Sequence, residues 1–251
     1  MIRTGVVSSI SAETVRRILV HHKLKPWRVH MWMSPKVERD EAFLAQVETI
    51  CELYTRPLQP HEVVLCVDEK TSLQPRPRVA PTTPAAPGRP TRCEHEYRRV
   101  GALNLLAAFN TRTGEVLARC YDRKRQVEFI DFLEALEAAT PSAITTIHVV
   151  LDNVRTHKGK QVQAWLAMHP RFVFHFTPVH CSWMNQVEQW FGVLQRKRLR
   201  LSDFASKADL SAAIGRFITE SNDNAHPFRW DQRSAEKLRT WARRRPVRKA
   251  A

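Results

Sequence analysis

Residues 147–153 read Ile147-His148-Val149-Val150-Leu151-Asp152-Asn153, an apolar run that ends in a carboxylate and an amide. A run of this kind indicates a strand that is buried on both faces of its sheet. Residues 62–70 repeat the pattern, because another apolar run ends there in Asp68 and Glu69. Open sheets bind ligands at the carboxyl ends of their strands. We therefore expect the acidic residues of both strands to border one site.

Alternation along a strand sends Asp68 and Glu69 to opposite faces of the sheet. Either residue can be a ligand, but we expect only one of them to join Asp152. One carboxylate at a strand end is common on protein surfaces, whereas two strands that end in the same way favour a shared site.

A third carboxylate, Glu188, lies in a segment with helical periodicity, for which Ser182 is the expected N-terminal cap. The apolar positions of this predicted helix are Val187, Phe191 and Leu194. Asn185 and Gly192 share the face of Glu188, and Gly192 leaves space beside the carboxylate. Carboxylates at strand ends and on a later helix are the donors that a divalent-metal phosphate site needs.

The remaining patterns predict the order of the elements. Residues 101–121 are typical of an antiparallel hairpin. A helix near Phe129 and a short strand near Phe172 then alternate with further helices, the last over about Lys207–Glu220. Three leading strands followed by alternating helices and strands predict an α/β fold, a ribonuclease-H-like mixed sheet flanked by helices.

We accordingly expect four parts: a partial helix-turn-helix with its linker, a connecting helix that starts at Ser34-Pro35, a catalytic core and a basic tail. Their boundaries are 1–33, 34–58, 59–225 and 226–251. Six prolines within residues 75–92 exclude regular structure there and predict a stiff, basic loop.

The charge balance indicates a polyanionic partner such as DNA, since 40 basic residues face 25 acidic ones and the net charge is +15. Five cysteines without a Cys-x-x-Cys pair argue against a disulfide framework or a zinc site and favour a reducing compartment. No apolar run approaches the roughly 20 residues of a membrane span, and the N-terminus lacks the apolar segment of a signal peptide.

Ser11 begins a predicted helix that Pro26 ends, and this short basic helix resembles the second helix of a helix-turn-helix. An ordinary amphipathic helix has the same pattern, so both interpretations stay open. Basic residues of this helix and three later segments are expected to contact DNA phosphates. They are Arg16, Arg17, Lys23, Arg28, Arg76, Arg78, Arg196, Lys197 and Arg198.

Three short motifs carry the acidic residues. They are Asp68-Glu69-Lys70, Leu151-Asp152-Asn153-x-x-x-His157-Lys158, and Thr177-Pro178-x-x-x-Ser182-Trp183-Met184-Asn185-Gln186-Val187-Glu188-x-Trp190-Phe191. In their order, and with 35 residues between Asp152 and Glu188, they resemble the catalytic motifs of DDE transposases. More narrowly, they resemble the bacterial IS630 family within the mariner superfamily. The resemblance covers roughly residues 5–235.

The resemblance implies a ribonuclease-H-like fold and a metal-bound catalytic triad, which falls on Asp68, Asp152 and Glu188. It implies a Mg²⁺-dependent DDE transposase that cuts double-stranded DNA at the terminal inverted repeats of an insertion sequence and joins the ends to target DNA. We expect a homodimer on DNA, associated with the nucleoid in the bacterial cytoplasm. With Asp68 as the ligand, Glu69 is expected to point away from Asp152 and to be dispensable.

A site of this kind holds two Mg²⁺ ions about 3.5–4 Å apart, with Mn²⁺ as a substitute. Asp152 would bridge the ions, and Asp68 and Glu188 would hold one each. The residues expected beside these ligands or on a phosphate are Asn153, His157, Lys158 and Asn185. His157 can equally cap the helix that follows it.

Members of the family carry DNA-binding helices ahead of the point where this sequence begins, so we expect a copy that lacks the N-terminal part of that region. Two alternatives remain open at this stage. One is a truncated DNA-binding remnant without catalysis, and the other is a nuclease of the same fold that cuts without joining.

Overall fold

The computed structural model describes residues 5–26, 28 and 39–243. The chain divides into two compact units, Met1–Lys36 and Val37–Ala251. The predicted helix start at Ser34-Pro35 and all of the predicted linker except Arg28 lie outside the described residues.

The first unit contains one helix, α1 (Ala12–His21), among its described residues. Ser11 caps it as predicted, because its hydroxyl accepts a hydrogen bond from the backbone N–H of Thr14 at 3.1 Å. The helix ends earlier than Pro26, since Lys23 has a φ of +53° and turns the chain away. The left-handed backbone at Lys23, which the sequence pattern did not indicate, therefore sets the end of α1.

The second unit is built on a five-stranded mixed sheet in the order β3-β2-β1-β4-β5. The strands are β1 (Glu62–Leu73), β2 (Leu103–Asn110), β3 (Val116–Tyr121), β4 (Thr146–Leu151) and β5 (Phe172–Phe176). The first three strands are antiparallel neighbours, whereas β1, β4 and β5 run parallel. This arrangement confirms the predicted ribonuclease-H-like fold class.

Six described helices surround the sheet in the predicted order, with one more than predicted at the end. They are α2 (Glu41–Thr55), α3 (Gln126–Ala139), α4 (Lys160–Met168), α5 (Val187–Leu194), α6 (Lys207–Asp223) and α7 (Gln232–Arg243). No described helix combines the length and the apolar character that crossing a membrane requires.

Both faces of the sheet are buried. On one face, Val64 and Cys66 of β1 pack in a core shared with α2, α5, α6 and α7. On the other face, Leu65 and Val67 pack with α3 and α4. Burial on both faces explains why the central strands are continuous apolar runs rather than alternating ones.

The connecting helix α2 begins at Glu41, where Asp40 accepts a hydrogen bond from the backbone N–H of Phe43 at 2.8 Å. Its apolar side chains form one stripe, since Phe43, Val47, Ile50 and Tyr54 are all buried. The stripe attaches α2 to one face of the sheet.

The predicted basic tail, residues 226–251, contains a helix that the sequence analysis did not predict, since α7 packs against α2. Its buried positions, Ala235, Leu238 and Ala242, lie three and four residues apart on one face. Arg239 binds Glu48 of α2 at 2.6 Å. Two of the three core positions are alanines within a strongly charged segment, so the helical periodicity was hard to recognise.

The proline-rich segment pairs back on itself rather than forming a single extended loop. Thr83 and Arg92 exchange two backbone hydrogen bonds of 2.9 and 3.0 Å, and Ala86 and Arg89 exchange another two. Gly88, with a φ of +73°, forms the tip. The prolines prevent a continuous ladder, but these isolated bridges make the segment an irregular hairpin.

Substituting Leu238→Ala should lower the free energy of unfolding by about 2–5 kcal/mol, because it empties a buried position between α7 and the core. Val127→Ala, at a position that is 56% exposed, is the control and should change stability by no more than about 0.5 kcal/mol. Equilibrium denaturation with urea measures both. Equal stability of the two variants would contradict the docked position of α7.

Candidate active site

The two central parallel strands bring the first two carboxylates together. Cys66 of β1 pairs with Val150 of β4, and the same register continued by two residues places Asp68 beside Asp152. Asp68 is buried, and its Oδ1 accepts a hydrogen bond from the backbone N–H of Glu69 at 2.8 Å. The predicted approach of these two residues agrees with the register, but Asp68 does not end its strand, because β1 continues to Leu73 along β2.

Glu188 is held near the same edge because the segment before α5 is tied to β1. The buried side chain of Asn185 donates from Nδ2 to the carbonyl oxygen of Val67 at 2.8 Å. That carbonyl lies immediately before Asp68. Asn185 is thus a positioning residue for α5, and its complete burial is incompatible with the phosphate contact that was one of its predicted roles.

Ser182 does not cap α5, in contrast to the prediction. It opens a short 3₁₀ turn, Ser182–Met184, and α5 starts only at Val187 without a side-chain cap. The hydroxyl of Tyr54 donates to the carbonyl oxygen of Met184 at 2.9 Å. Contacts with α2 and β1 therefore replace a local cap in fixing the start of α5.

The three carboxylates are close enough to change one another's ionisation. Burial, and then the negative charge of Asp152, raise the pKa of Asp68 to about 7, and Glu188 adds to this shift. Burial also raises the pKa of Glu188, again with a contribution from Asp152. Like charges at one place in the fold mark a candidate site for a cation.

Asp152 has a different environment from the other two. Burial raises its pKa, but the hydrogen bond from His157, the backbone N–H of Val154 and the charge of Lys158 together hold the pKa below its usual value. The N–H of Val154 donates to Asp152 Oδ1 at 3.1 Å. Asp152 is therefore the carboxylate of the three that stays ionised most readily.

His157 is buried and binds two carboxylates rather than capping the next helix. Its Nδ1 lies 3.1 Å from Asp152 Oδ1, and its Nε2 lies 3.3 Å from Glu69 Oε2. Burial lowers the pKa of His157, but the two carboxylates outweigh it and raise the pKa to about 9. The helix α4 takes Gly159 as its N-cap, so the capping alternative is wrong.

Glu69 points away from Asp152, as expected, but the two carboxylates are connected through His157. Alternation does send Glu69 to the face of α3 and α4, but His157 lies on that face and bridges the two carboxylates. Because Asp152 follows the end of β4, side chains from both faces can reach it. Strand alternation could not show this contact.

Asn153 and Lys158 bind each other and the strand beside them. The Nδ2 of Asn153 donates to the carbonyl oxygen of Thr177, and Lys158 Nζ donates to Asn153 Oδ1 at 2.5 Å. The ammonium also lies 4.3 Å from the ring centre of Phe176. These contacts fix the loop after β4, although Lys158 remains exposed.

Lys70 is a residue of this region that the sequence analysis did not select. Its charge lowers the pKa of Glu188 against the effect of burial. It also lines a polar cleft of about 210 Å³ together with Arg76, Gln195 and Ser202. Its position directly after Asp68-Glu69 was the available signal, because a strand end that carries two carboxylates favours a nearby cation.

The basic run after α5 forms a π-turn, Gln195–Leu199, that continues the helix. Arg196 and Lys197 are exposed there. Arg198 instead binds Glu220 at 2.6 Å and lies 5.4 Å from the ring centre of Phe217. The space predicted beside Gly192 is bordered by Arg196, whose guanidinium would lie 3.3 Å from an added Cβ.

The other predicted DNA contacts have unequal surroundings. Arg78 donates to the carbonyl oxygens of Glu94 and Ser202 at 2.9 and 3.2 Å, so it braces the hairpin instead of facing a ligand. Arg76 lies 5.5 Å from the ring centre of Tyr97.

In the first unit, Arg16 pairs with Glu13 at 2.6 Å, whereas Arg17, Lys23 and Arg28 are exposed. The three exposed residues keep their guanidinium or ammonium groups at the surface of the unit. The contacts of Arg17, Lys23 and Arg28 with DNA phosphates stay predictions.

The donor set suits a divalent metal ion. Carboxylate oxygens are the ligands that Mg²⁺ and Mn²⁺ take in proteins, and a cation would offset the repulsion that raises the pKa of Asp68. Among the residues that the structure describes, no three His, Cys, Asp or Glu side chains already surround an ion-sized position.

Comparison with known proteins gives one family and several similar folds. The profile of the family described as DDE superfamily endonuclease matches residues 63–211. The insertion element IS630 uncharacterized 39 kDa protein of Shigella sonnei is 30% identical over 114 residues, which are 45% of this chain and 33% of that protein. The aligned part thus spans a third of the relative's length.

Two crystal structures of Mos1 share the fold. The Mos1 mariner paired end complex with Mn has a TM-score of 0.54 at 17% identity, over 93% of this chain and 69% of that chain. The Mos1 strand transfer complex has a TM-score of 0.59 at 14% identity, over 93% and 68%. The sheet order, the converging carboxylates and a family profile that covers more than half of the sequence agree, and this chain belongs to the DDE superfamily of endonucleases.

Proposed function

We propose that this chain is the catalytic part of an insertion-element transposase, which cuts double-stranded DNA at the terminal inverted repeats and joins the ends to a target. The observation that carries the proposal is the convergence of three carboxylates: the register of β1 and β4 brings Asp68 beside Asp152, and Asn185 ties the segment before Glu188 to β1. The Mos1 strand transfer complex, a protein of the same fold, supports joining as well as cutting.

In this proposal Asp68, Asp152 and Glu188 would hold two divalent ions, Mg²⁺ or Mn²⁺. When bound, such ions supply Lewis-acid activation of a water or a 3′-hydroxyl and charge neutralisation at the phosphate. The chain contributes fixed carboxylates: β1 and β4 set the positions of Asp68 and Asp152, and Asn185 sets that of α5. Support for the metal comes from the oxygen donor set and from the Mn of the Mos1 complex.

The route for DNA is proposed to run from the carboxylates across the basic surface beside them. Lys70 and Arg76 line the polar cleft next to Glu188, and Arg196 and Lys197 are exposed on the π-turn. Cations in these positions neutralise backbone phosphates without reading sequence. The net charge of +15 supports association with the bacterial nucleoid, and we infer that the chain acts as a homodimer on DNA.

Replacing Asp68, Asp152 or Glu188 by its amide should reduce Mg²⁺-dependent cleavage to background, because each change removes a ligand charge with little change in volume. Asp223→Asn, at an exposed position on α6, is the matched control and should cut normally. Nicking of supercoiled plasmid measures cutting, and joining of pre-cleaved repeat ends measures transfer. Cleavage by Asp152→Asn at the wild-type rate would refute the site, and cutting without joining would leave only the nuclease function.

Asp68→Asn should stabilise the metal-free chain at pH 8 by roughly 1–3 kcal/mol, because it removes a buried charge beside Asp152. The folded pKa of Asp68 is about 7 and the ordinary value is 3.8. Between these values the folded chain holds a proton that the unfolded chain has lost, so wild-type stability falls as pH rises from about 4 to 7. Denaturation in EDTA at pH 5 and pH 8 tests this, and an equal gain at both pH values would contradict it.

Replacing Arg196 and Lys197 together by alanine should weaken binding to every duplex about equally. The slope of log K against log salt should fall by about one for each phosphate contact removed. Arg119→Ala removes a cation that pairs with Asp131 and serves as the control. Anisotropy titrations of repeat and scrambled duplexes at several salt concentrations give both quantities. An unchanged salt slope would place the DNA elsewhere on the protein.

A further inference from the structure

We propose that Glu69 is a positioning residue for Asp152 and acts through His157. The inference rests on the proposed metal site, because it concerns how one ligand of that site is oriented. It replaces the expectation that Glu69 is dispensable.

Glu69, His157 and Asp152 form a continuous chain of contacts. His157 Nε2 lies 3.3 Å from Glu69 Oε2, and His157 Nδ1 lies 3.1 Å from Asp152 Oδ1 and 3.4 Å from the carbonyl oxygen of Asp152. Both ring nitrogens thus lie within ion-pair distance of a carboxylate. Within the described residues, neither His157 Nε2 nor Glu69 Oε2 has a hydrogen-bond partner, so the approach of these two buried atoms is an ion-pair contact rather than a hydrogen bond.

The chain of contacts leads from the interior towards the surface. The side chains of His157 and Glu69 are 1% and 8% exposed, whereas that of Asp152 is 24% exposed. The ring of His157 also packs against Phe129, with 4.4 Å between the ring centres. His157 therefore has no surface left for a phosphate, and the predicted phosphate contact of this residue was wrong.

Of the three residues in this series of contacts, Glu69 has the most firmly held backbone. It lies within β1, where it pairs with Leu106 of β2, and β1 is the central strand of the sheet. Asp152, in contrast, follows the end of β4, where the sheet no longer fixes the backbone. The buried ring of His157 lies between Glu69 and Asp152, so the fixed position of Glu69 on β1 orients the Asp152 carboxylate. Without the Glu69 charge, the buried ring of His157 loses one of its two ion-pair contacts.

The same strand contains a similar pair that serves as a control. Glu62, at the other end of β1, lies 3.5 Å from His148, and their side chains are 14% and 12% exposed. This pair is also a largely buried Glu–His contact and makes no contact with Asp152 among the described residues, although Glu62 additionally binds Arg56 at 2.8 Å. A general loss of stability from removing a buried glutamate is therefore measured by Glu62→Gln.

The experiment is a calorimetric titration of the full chain with Mn²⁺, using wild type, Asp152→Asn, Glu69→Gln, Glu62→Gln, His157→Gln and the Glu69→Gln/His157→Gln double variant. Glu69→Gln should weaken Mn²⁺ binding by about 10- to 100-fold, the usual effect of removing a partner of a ligand-orienting residue. Glu62→Gln should bind Mn²⁺ as wild type does, even if it melts at a lower temperature.

The double variant separates positioning from a direct role. Since Glu69 acts through His157, adding Glu69→Gln to His157→Gln should weaken Mn²⁺ binding by less than about 2-fold, a strongly non-additive result. If Glu69→Gln does not fold, Glu69→Asp gives the same test, because it withdraws the carboxylate from His157. It should weaken binding by about 3- to 10-fold.

The outcomes distinguish this inference from the proposed function. Wild-type Mn²⁺ affinity in Glu69→Gln, or additive losses in the double variant, would overturn the positioning role alone, provided that Asp152→Asn binds Mn²⁺ weakly. If Asp152→Asn binds as wild type does, or if the wild-type chain binds no Mn²⁺, the metal site itself is refuted and the positioning role with it.

Discussion

The repulsion among carboxylates at the end of a buried sheet is the constraint on which the rest of this structure depends. Asp68 lies inside the protein beside Asp152 and near Glu188, and its pKa of about 7 reflects burial and these neighbouring charges. Such a site opposes folding when the carboxylates are ionised. The packing of the surrounding elements must therefore hold three like charges in one place. The same three charges attract cations.

That packing comes from both faces of the sheet. On one face, Tyr54 of α2 and Asn185 before α5 bind backbone carbonyls at and next to the site, so the position of Glu188 depends on the core rather than on a local cap. On the other face, His157 packs against Phe129 of α3 and neutralises part of the charge of Asp152 and Glu69. The two faces of the sheet thus position different acidic residues of the site: Glu188 from the first face, and Asp152 and Glu69 from the second.

The positioning role proposed for Glu69 extends this division. A metal ligand that follows a strand end needs support from groups that are themselves fixed. Glu69 belongs to the central strand, and the contact through His157 gives Asp152 a connection to that strand from the second face. Lys70, the next residue, lowers the pKa of Glu188, so three successive residues of β1 contribute to three different parts of the site.

The sequence by itself determined the fold class, the order of the core elements and the three carboxylates, because buried strands leave apolar runs and acidic residues at their ends were visible directly. It did not determine α7, whose core contacts are mostly alanines, or the early end of α1, which depends on the backbone of Lys23. Only the tertiary structure decided that Glu69 connects to Asp152 through His157, that Asn185 is buried and that Arg78 braces the hairpin. The periodicity of a sequence determines to which face of a strand or helix a side chain points. The residues that it contacts there are distant in the sequence and come close only after folding.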